Sequence, residues 1–472
     1  MMAMISNYMS GMRNNTTFFA FILMLLVWIM MGECDQGKYL FEVSSRDIME
    51  NISKGNDITY HDAVIVGDLD LNLANLSTTS QNTRVVHSSI NIMDSRIEGT
   101  VRFSNSKFME PVRFEYTDFV KNVDFTRSEF TGDATFGNIH FLDQAHFDDC
   151  DFKKNAIFSS SNFMNNAYFR WCQFEQGGHF FDTAFEHNAN FVNSTFSGSA
   201  EFTHSHFEAP AYFWFNIFGD SAEFSNSQFA DDTYFEASQF EGPVRFVNAQ
   251  FDGHTYFGDS SFKKLVSFDY AQMMKEIYFD GAIFYRTSTL SLNRAKISKL
   301  YLRWNTISDR LSYDDEVYLF MIGNYKNLGW HDDSTNCYYD YRIRHPMNPL
   351  KDPIQYIYDR TSLISYGYGV KPVQPLISSL LIILISGIIF YFSNGIKRSQ
   401  NLSIAGQKIS IWESIHYSAT AFTSGASAFI SYPSEIIPVG KSRYLVTLER
   451  FLGWIFFTLF LVSLANTAIN SF

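Results

Sequence analysis

The stretch NFVNSTFSGSAEFTHSHFEAPAYF, residues 190–213, places phenylalanine at 191, 196, 202, 207 and 213, at intervals of five, six, five and six. Five residues advance an α-helix by roughly 500°, so these rings scatter around a helical cylinder instead of lining one face. The intervening Ser, Thr, Asn and Gly favour strands and turns over helix. The spacing predicts a β repeat.

The alternation runs unbroken from Phe103 to Phe284. One series steps by eleven from Phe103 to Phe279 and the other from Phe108 to Phe284, with Met273 the single departure. Val86, Ile92 and Ile97 keep the register upstream, and DAVIVGDLDLNL at 62–73 reads as an aliphatic opening coil. A short fixed period over this length marks a solenoid, whose units bury their apolar faces only by stacking. The residue two before each Phe is small or β-branched nearly everywhere, as at Val112, Thr117, Ala134, Ala167, Ala189, Ser194, Ala200 and Ala211. Residues i and i−2 share a face of an extended segment, so each short side sends one ring and one small residue inward.

With these residues the chain resembles the pentapeptide-repeat family. The resemblance implies a right-handed four-sided β-helix with a central Leu or Phe and a small residue two positions earlier on each side. The family's usual interval is five; here every second interval is six. Four sides then take 22 residues, with the extra residue expected at alternate corners. The Phe segment makes about eight coils, a rod on the order of 40 Å long at roughly 4.8 Å per layer. On this period Cys150 and Cys172, 22 apart and both at the small position, stack in adjacent coils. They are either a disulfide or two buried free thiols filling small-residue slots. Four cysteines in 472 residues are too few for a disulfide framework.

Three apolar stretches stand outside the repeat. FFAFILMLLVWIMM at 18–31 follows Arg13 and reads as a signal peptide or N-terminal anchor. PLISSLLIILISGIIFYF at 375–392 and FLGWIFFTLFLVSLANTAI at 451–469 are each long enough to span a bilayer. The expected organisation is a leader or anchor at 1–34, the β-helix at 60–303, a helical hairpin and linker at 304–371 and a transmembrane module at 372–472. In the hairpin, Val317, Leu319, Phe320 and Ile322 have helical spacing, Gly329 suits the turn, and Asp332 or Asp333 suits the next N-cap. CYYDYR at 337–342 and YGYGVKP at 366–372 look like recurring elements of membrane-anchored microbial pentapeptide-repeat proteins. Such a hairpin is expected to cap the last coil, whose edge is otherwise open.

Residues 410–450 lie between the two spans, and the layout is similar to a two-helix potassium-channel module. That likeness implies a pore helix from about Trp412 to Phe422, a filter at Thr423, Ser424, Gly425, Ala426 and Ser427, a hinge at Gly453 and four copies around an axis. Filters of this kind coordinate a monovalent cation such as potassium through backbone carbonyls and need glycine's conformational freedom. Here Ala426 and Ser427 stand where the family has an aromatic residue and a second glycine. A re-entrant or interfacial helix that conducts nothing is the alternative. If 18–31 is a signal or an N-in anchor, the β-helix is expected outside the cell membrane and the 393–450 loop in the cytoplasm, and Lys397, Arg398, Lys408, Lys441, Arg443 and Arg450 in that loop agree with the positive-inside rule. A potassium-channel loop enters from the opposite side.

Charge and motifs exclude other classes. Residues 101–284 hold 26 Asp and Glu against 12 Lys and Arg, about as much net negative charge as the whole chain at −13. An acidic surface disfavours nucleic-acid binding. Pentapeptide-repeat proteins that imitate DNA and inhibit topoisomerases are also acidic, but a tethered rod fits that role poorly. No phosphate loop, dinucleotide fingerprint, metal-ligand spacing or nucleophile motif is present, so no enzyme, catalytic residue, metal or cofactor is expected. The expectation is a multi-pass membrane protein, with the bilayer and an unidentified protein as partners of the spans and the rod.

Overall fold

The computed structural model describes residues 41–345, 350–398, 408–424 and 436–469. The expected leader at 18–31, Cys34, and Gly425, Ala426 and Ser427 of the candidate filter lie outside them. The chain divides into two units, one running to Leu302 and including Arg310–Ser312, the other comprising Arg303–Asp309 and the residues from Tyr313 onward.

The first unit is a parallel β-solenoid of about 12 turns. Strands of mostly two residues pair 22 residues apart on four sides, as in Ala134↔Ala156, Phe141↔Phe163, Ala167↔Ala189 and Phe174↔Phe196. Two of the sides join into one sheet where Gln272–Tyr278 runs around a corner and pairs with both Gln250–Phe251 and Thr255–Tyr256. The turn count exceeds the eight coils of the Phe segment because aliphatic coils extend it at both ends. Phe41–Ser44 pairs with Ala63–Val66, ahead of the expected start at 60, and the first full repeat, Ile58↔Ile90, is stretched to 32 residues. Helix α1 (Ser45–Ser53), N-capped by Ser44, buries Ile48, Met49 and Ile52 against this opening coil. At the far end Leu311 bridges to Leu290 in parallel, and Ser312 N–H donates to the Leu290 carbonyl (2.8 Å), so the chain covers the last strand of one side, Thr289–Ser291.

Alternate corners differ in kind. Every eleventh residue from Asp94 to Tyr270 has φ between 48° and 62°, two residues after an inward Phe, or after Ile92 in the first case, and inside a five-residue interval. Asn and Asp suit this left-handed conformation, but Tyr116, Arg127, Trp171, Phe215 and Tyr270 adopt it too, against a penalty of roughly 1–2 kcal/mol each. The tight corner is therefore imposed by the stack and not by turn residues alone. Six-residue corners have room to turn with negative φ, and in the Phe-core coils the only left-handed residue among them is Gly177 (φ 142°).

Inside, Phe191, Phe196, Phe202, Phe207 and Phe213 are each at most 1% exposed. Rings stack face to face on the next coil, 5.1 Å between centroids for Phe191–Phe213, and meet the ring of the opposite side edge-on, 5.2 Å and 88° for Phe191–Phe202. Both geometries satisfy the ring quadrupole. A buried hydroxyl ladder lies beside the rings. Ser194 Oγ donates to the Phe169 carbonyl (2.6 Å) and accepts from Cys172 N–H (2.9 Å), and Ser161, Ser205, Ser227, Ser238 and Ser260 make the same donation one coil apart. Cys150 and Cys172 occupy two rungs of this ladder as free thiols, their Sγ atoms donating to the carbonyls of Phe125 and Phe147 at 3.0 and 2.9 Å. Burial pushes both thiols up from the ordinary cysteine range.

The outside of the solenoid is charged, and its charges stack by sign across coils, as in Lys107–Glu129 (2.9 Å), Lys153–Glu175 (2.7 Å) and Lys263–Glu241 (2.6 Å). Residues 171–244 contain no Lys or Arg and eleven Asp or Glu. Beside them Tyr212, Tyr234, Tyr256, Tyr278 and Tyr301 form an external stack with centroids 4.7–5.2 Å apart.

The second unit is helical. After a short α2 (Trp304–Ile307), α3 (Asp315–Asn327) and α4 (His331–Arg344) form the expected hairpin. Asp314 caps α3 by accepting from Glu316 and Val317 N–H, and Gly329 follows its last turn at φ 71°. Neither Asp332 nor Asp333 caps α4, whose N-cap is Trp330. Asp333 lies in the first turn instead, accepting from Trp304 N–H (2.7 Å) and pairing with Arg303 (2.9 Å). Helix α5 (Pro353–Tyr366) follows, then α6 (Val373–Phe392), α7 (Ile411–Thr423) and α8 (Ser442–Ile469).

Candidate functional site

The strongest concentration of unusual chemistry lies where α6, α7 and α8 pack on one another. Ser410 and Glu413 close a capping box that starts α7, and Arg398 holds Glu413 at 2.5 Å from the short ribbon Ile396–Arg398, which pairs antiparallel with Ile436–Pro438. Helix α7 is seated through two glycines. A Cβ at Gly387 of α6 would lie 2.7 Å from Ile415 Cα, and one at Gly453 of α8 would lie 1.9 Å from the Phe422 carbonyl oxygen. Small residues at such contacts let helix backbones approach closely. The structure therefore gives Gly453, the candidate hinge, a close-packing role in the middle of α8.

Two ionisable side chains are buried at this junction. Glu449 is 1% exposed and Arg450 is 4% exposed. Ser418 Oγ donates to the Ile383 carbonyl (2.8 Å) and is hydrogen-bonded to the Glu449 carboxyl, so one hydroxyl ties α7 to both neighbours. Glu449 lies outside the apolar stretch 451–469 that the sequence marks, but inside α8, which begins at Ser442. Its i, i+4 spacing from Gly453 carries the signal, since both then face α7.

Of the candidate filter, Thr423 ends α7 and Ser424 is its C-cap. Their hydroxyls turn back onto the helix, Thr423 Oγ1 to the Ala419 carbonyl (2.8 Å) and Ser424 Oγ to the Ala421 carbonyl (2.7 Å). The other three filter positions are outside the described residues.

The two tyrosine-rich motifs converge on a second node. Asp359 of α5, 1% exposed, accepts from Arg342 of α4 (2.6 Å) and from the Tyr368 hydroxyl (3.1 Å). Arg342 also donates to the Tyr338 hydroxyl (3.2 Å) and lies over the Tyr368 ring, 4.5 Å from its centroid. Gly367, Tyr368 and Gly369 all have positive φ, a turn that brings Tyr368 back against α5 before α6 begins. CYYDYR and YGYGVKP thus supply the two sides of one clamp. Asp359 between them lay unmarked in IYDRTSLI, where an Asp within an apolar run is the readable clue. Next to it an open cleft of about 490 Å³ is lined by Arg303, Trp304, Asp333, Asn336, Asp340 and Lys371. Its polar groups already pair, Trp304 Nε1 with Asp340 (2.8 Å) and Lys371 with Asn336 (2.8 Å).

Among the described residues no group of three or more His, Cys, Asp or Glu is arranged to hold a metal ion. Several histidines of the solenoid pair with carboxylates, as in His179–Glu201 and His206–Glu208.

A family model described as pentapeptide repeats (9 copies) matches residues 94–140 and 217–261. The chain thus carries pentapeptide repeats, and they fold as the β-solenoid described above. No curated protein and no solved structure matches the chain. The potassium-channel likeness of the C-terminal module finds no support in these comparisons.

Proposed function

We propose that this chain is an integral membrane protein that presents its acidic β-solenoid as an interaction or sensing module, linked through the α3–α5 segment to the α6–α8 membrane module. The carrying observation is that α6 and α8, with mean hydropathy 2.3 and 1.8, are each long enough to span and are only 22% buried over their most apolar window. A core helix of a water-soluble protein hides such a surface, and a contiguous exposed patch of this extent calls for lipid or a partner. The clamp on Asp359 supports mechanical linkage, because it joins the hairpin to the segment that enters α6.

Two versions differ at α7. In the first, α7 is a pore helix and four copies surround a monovalent-cation pathway. In the second, the module is a non-conducting anchor and the rod a surface scaffold or receptor. The second is favoured by the inward-turned hydroxyls of Thr423 and Ser424 and by Lys397, Arg398, Lys408 and Lys441 between α6 and α8, which argue for an external rod. The membrane spans also argue against a freely diffusing DNA mimic. Conductance of purified protein in planar bilayers, read with its oligomeric state, separates the versions: a monomer without conductance removes the channel, and a conducting tetramer removes the scaffold. Protease added to intact cells tests the side of the rod. A protease that cuts at acidic residues probes the whole rod, whereas trypsin has no site in residues 171–244. Protection of the rod in that assay overturns the external placement.

A further inference from the structure

We propose that α5 lies flat in a bilayer surface, with Ile354, Ile357, Tyr358 and Ile364 in the boundary between headgroups and acyl chains; this rests on the membrane reading of α6 and α8. The helix is amphipathic in the wrong sense for water. Those four side chains are 61–79% exposed, whereas Asp359 and Ser362 on the other side are 1% and 4% exposed. At 100° per residue Ile354, Ile357, Tyr358, Thr361 and Ile364 fall within roughly a third of the circumference, a single stripe. In water this arrangement is unfavourable twice over, in apolar area left wet and in a carboxylate taken out of solvent. At an interface the first penalty disappears. The second is met by Arg342 and Tyr368, which hold Asp359 from the protein side.

Length and position point to lipid as the occupant. Fourteen residues make a helix of about 21 Å, short of the roughly 30 Å hydrocarbon core, so α5 does not cross. It packs against α6 and α8, and only the turn at Gly367–Gly369 and three further residues separate it from the first candidate span. The stripe is therefore continuous with the surface that lipid covers. Tyr358 places a phenol on the stripe, as suits headgroup depth, and the half-buried Arg360 and exposed Lys351 add cations near it.

The test incorporates p-benzoylphenylalanine in the full-length protein in lipid nanodiscs, separately at Ile357, at Leu380 of α6 and at Ile217 of the solenoid. After irradiation, adducts are identified by mass spectrometry. Lipid adducts at 357 and 380 and none at 217 are expected. Lipid at 380 with only protein cross-links or no adduct at 357 overturns the placement of α5 while leaving the spans intact. No lipid at either position overturns the membrane reading, and the inference with it.

Discussion

The solenoid and the helical unit sort the same kinds of side chain in opposite directions. In the solenoid every described Phe of the ladder is inside, lysines and the carboxylates other than Asp148 are outside, and the buried hydroxyls serve the backbone of the next coil. In the helical unit Asp359, Glu449, Arg450 and Ser418 are inside, and Leu380, Ile385, Trp454 and Phe457 are outside. Each arrangement is the low-energy one in a different solvent: water rewards the first, and a hydrocarbon phase, which cannot hydrogen-bond, rewards the second. The buried charges of the helical unit are costly in either solvent, and such groups mark functional positions more often than structural ones.

The comparison can be broken at several points. Phe191→Ala removes a ring that two coils stack on, and a loss of about 3–5 kcal/mol in chemical denaturation of the solenoid is expected. A loss under about 1 kcal/mol would mean that neighbouring coils collapse into the gap and that the core is less rigid than its stacking. Arg342→Ala leaves the Asp359 carboxyl buried with only Tyr368, and about 3 kcal/mol of stability should go, with faster hydrogen exchange in α5. If exchange there is unchanged, the clamp does not hold α5. Ser194→Ala orphans Cys172 N–H and the Phe169 carbonyl, for an expected cost of about 1–3 kcal/mol in the same denaturation assay. Phe215→Asn puts a residue that tolerates φ near 57° at an exposed corner and should raise stability by about 1 kcal/mol. The smallest effect is expected from reductant: with Cys150 and Cys172 both free thiols, the melting temperature in dithiothreitol should match that in buffer alone.

The solenoid was legible because its code is local and repeated. A ring every five or six residues and a small residue two before it identify sides, coils and inward positions without any knowledge of long-range pairing. Its ends were less so: the stretched first coil and the closure by Leu311 depend on aliphatic residues that carry no period. The left-handed corners were hidden for another reason, since Trp171 or Phe215 at such a position is readable only from the register of its neighbours. In the helical unit, the elements could be found from apolar runs, capping residues and Gly329, but their mutual contacts could not. Glu449 meets Ser418 across 31 positions and Asp359 meets Arg342 across 17, and neither pairing leaves a trace in spacing.

Because each coil repeats the last in an unbroken 22-residue register, the solenoid is a ruler with fixed graduations. Removing or duplicating any block of 22 residues between Phe103 and Phe268 leaves every inward ring and every corner in place and shifts the two ends by one layer, roughly 4.8 Å. A deletion of 11 instead exchanges opposite sides and turns the remainder of the rod by half a revolution. Reach and facing can therefore be altered separately and in whole steps, by inheritance or by design, without recomposing the core.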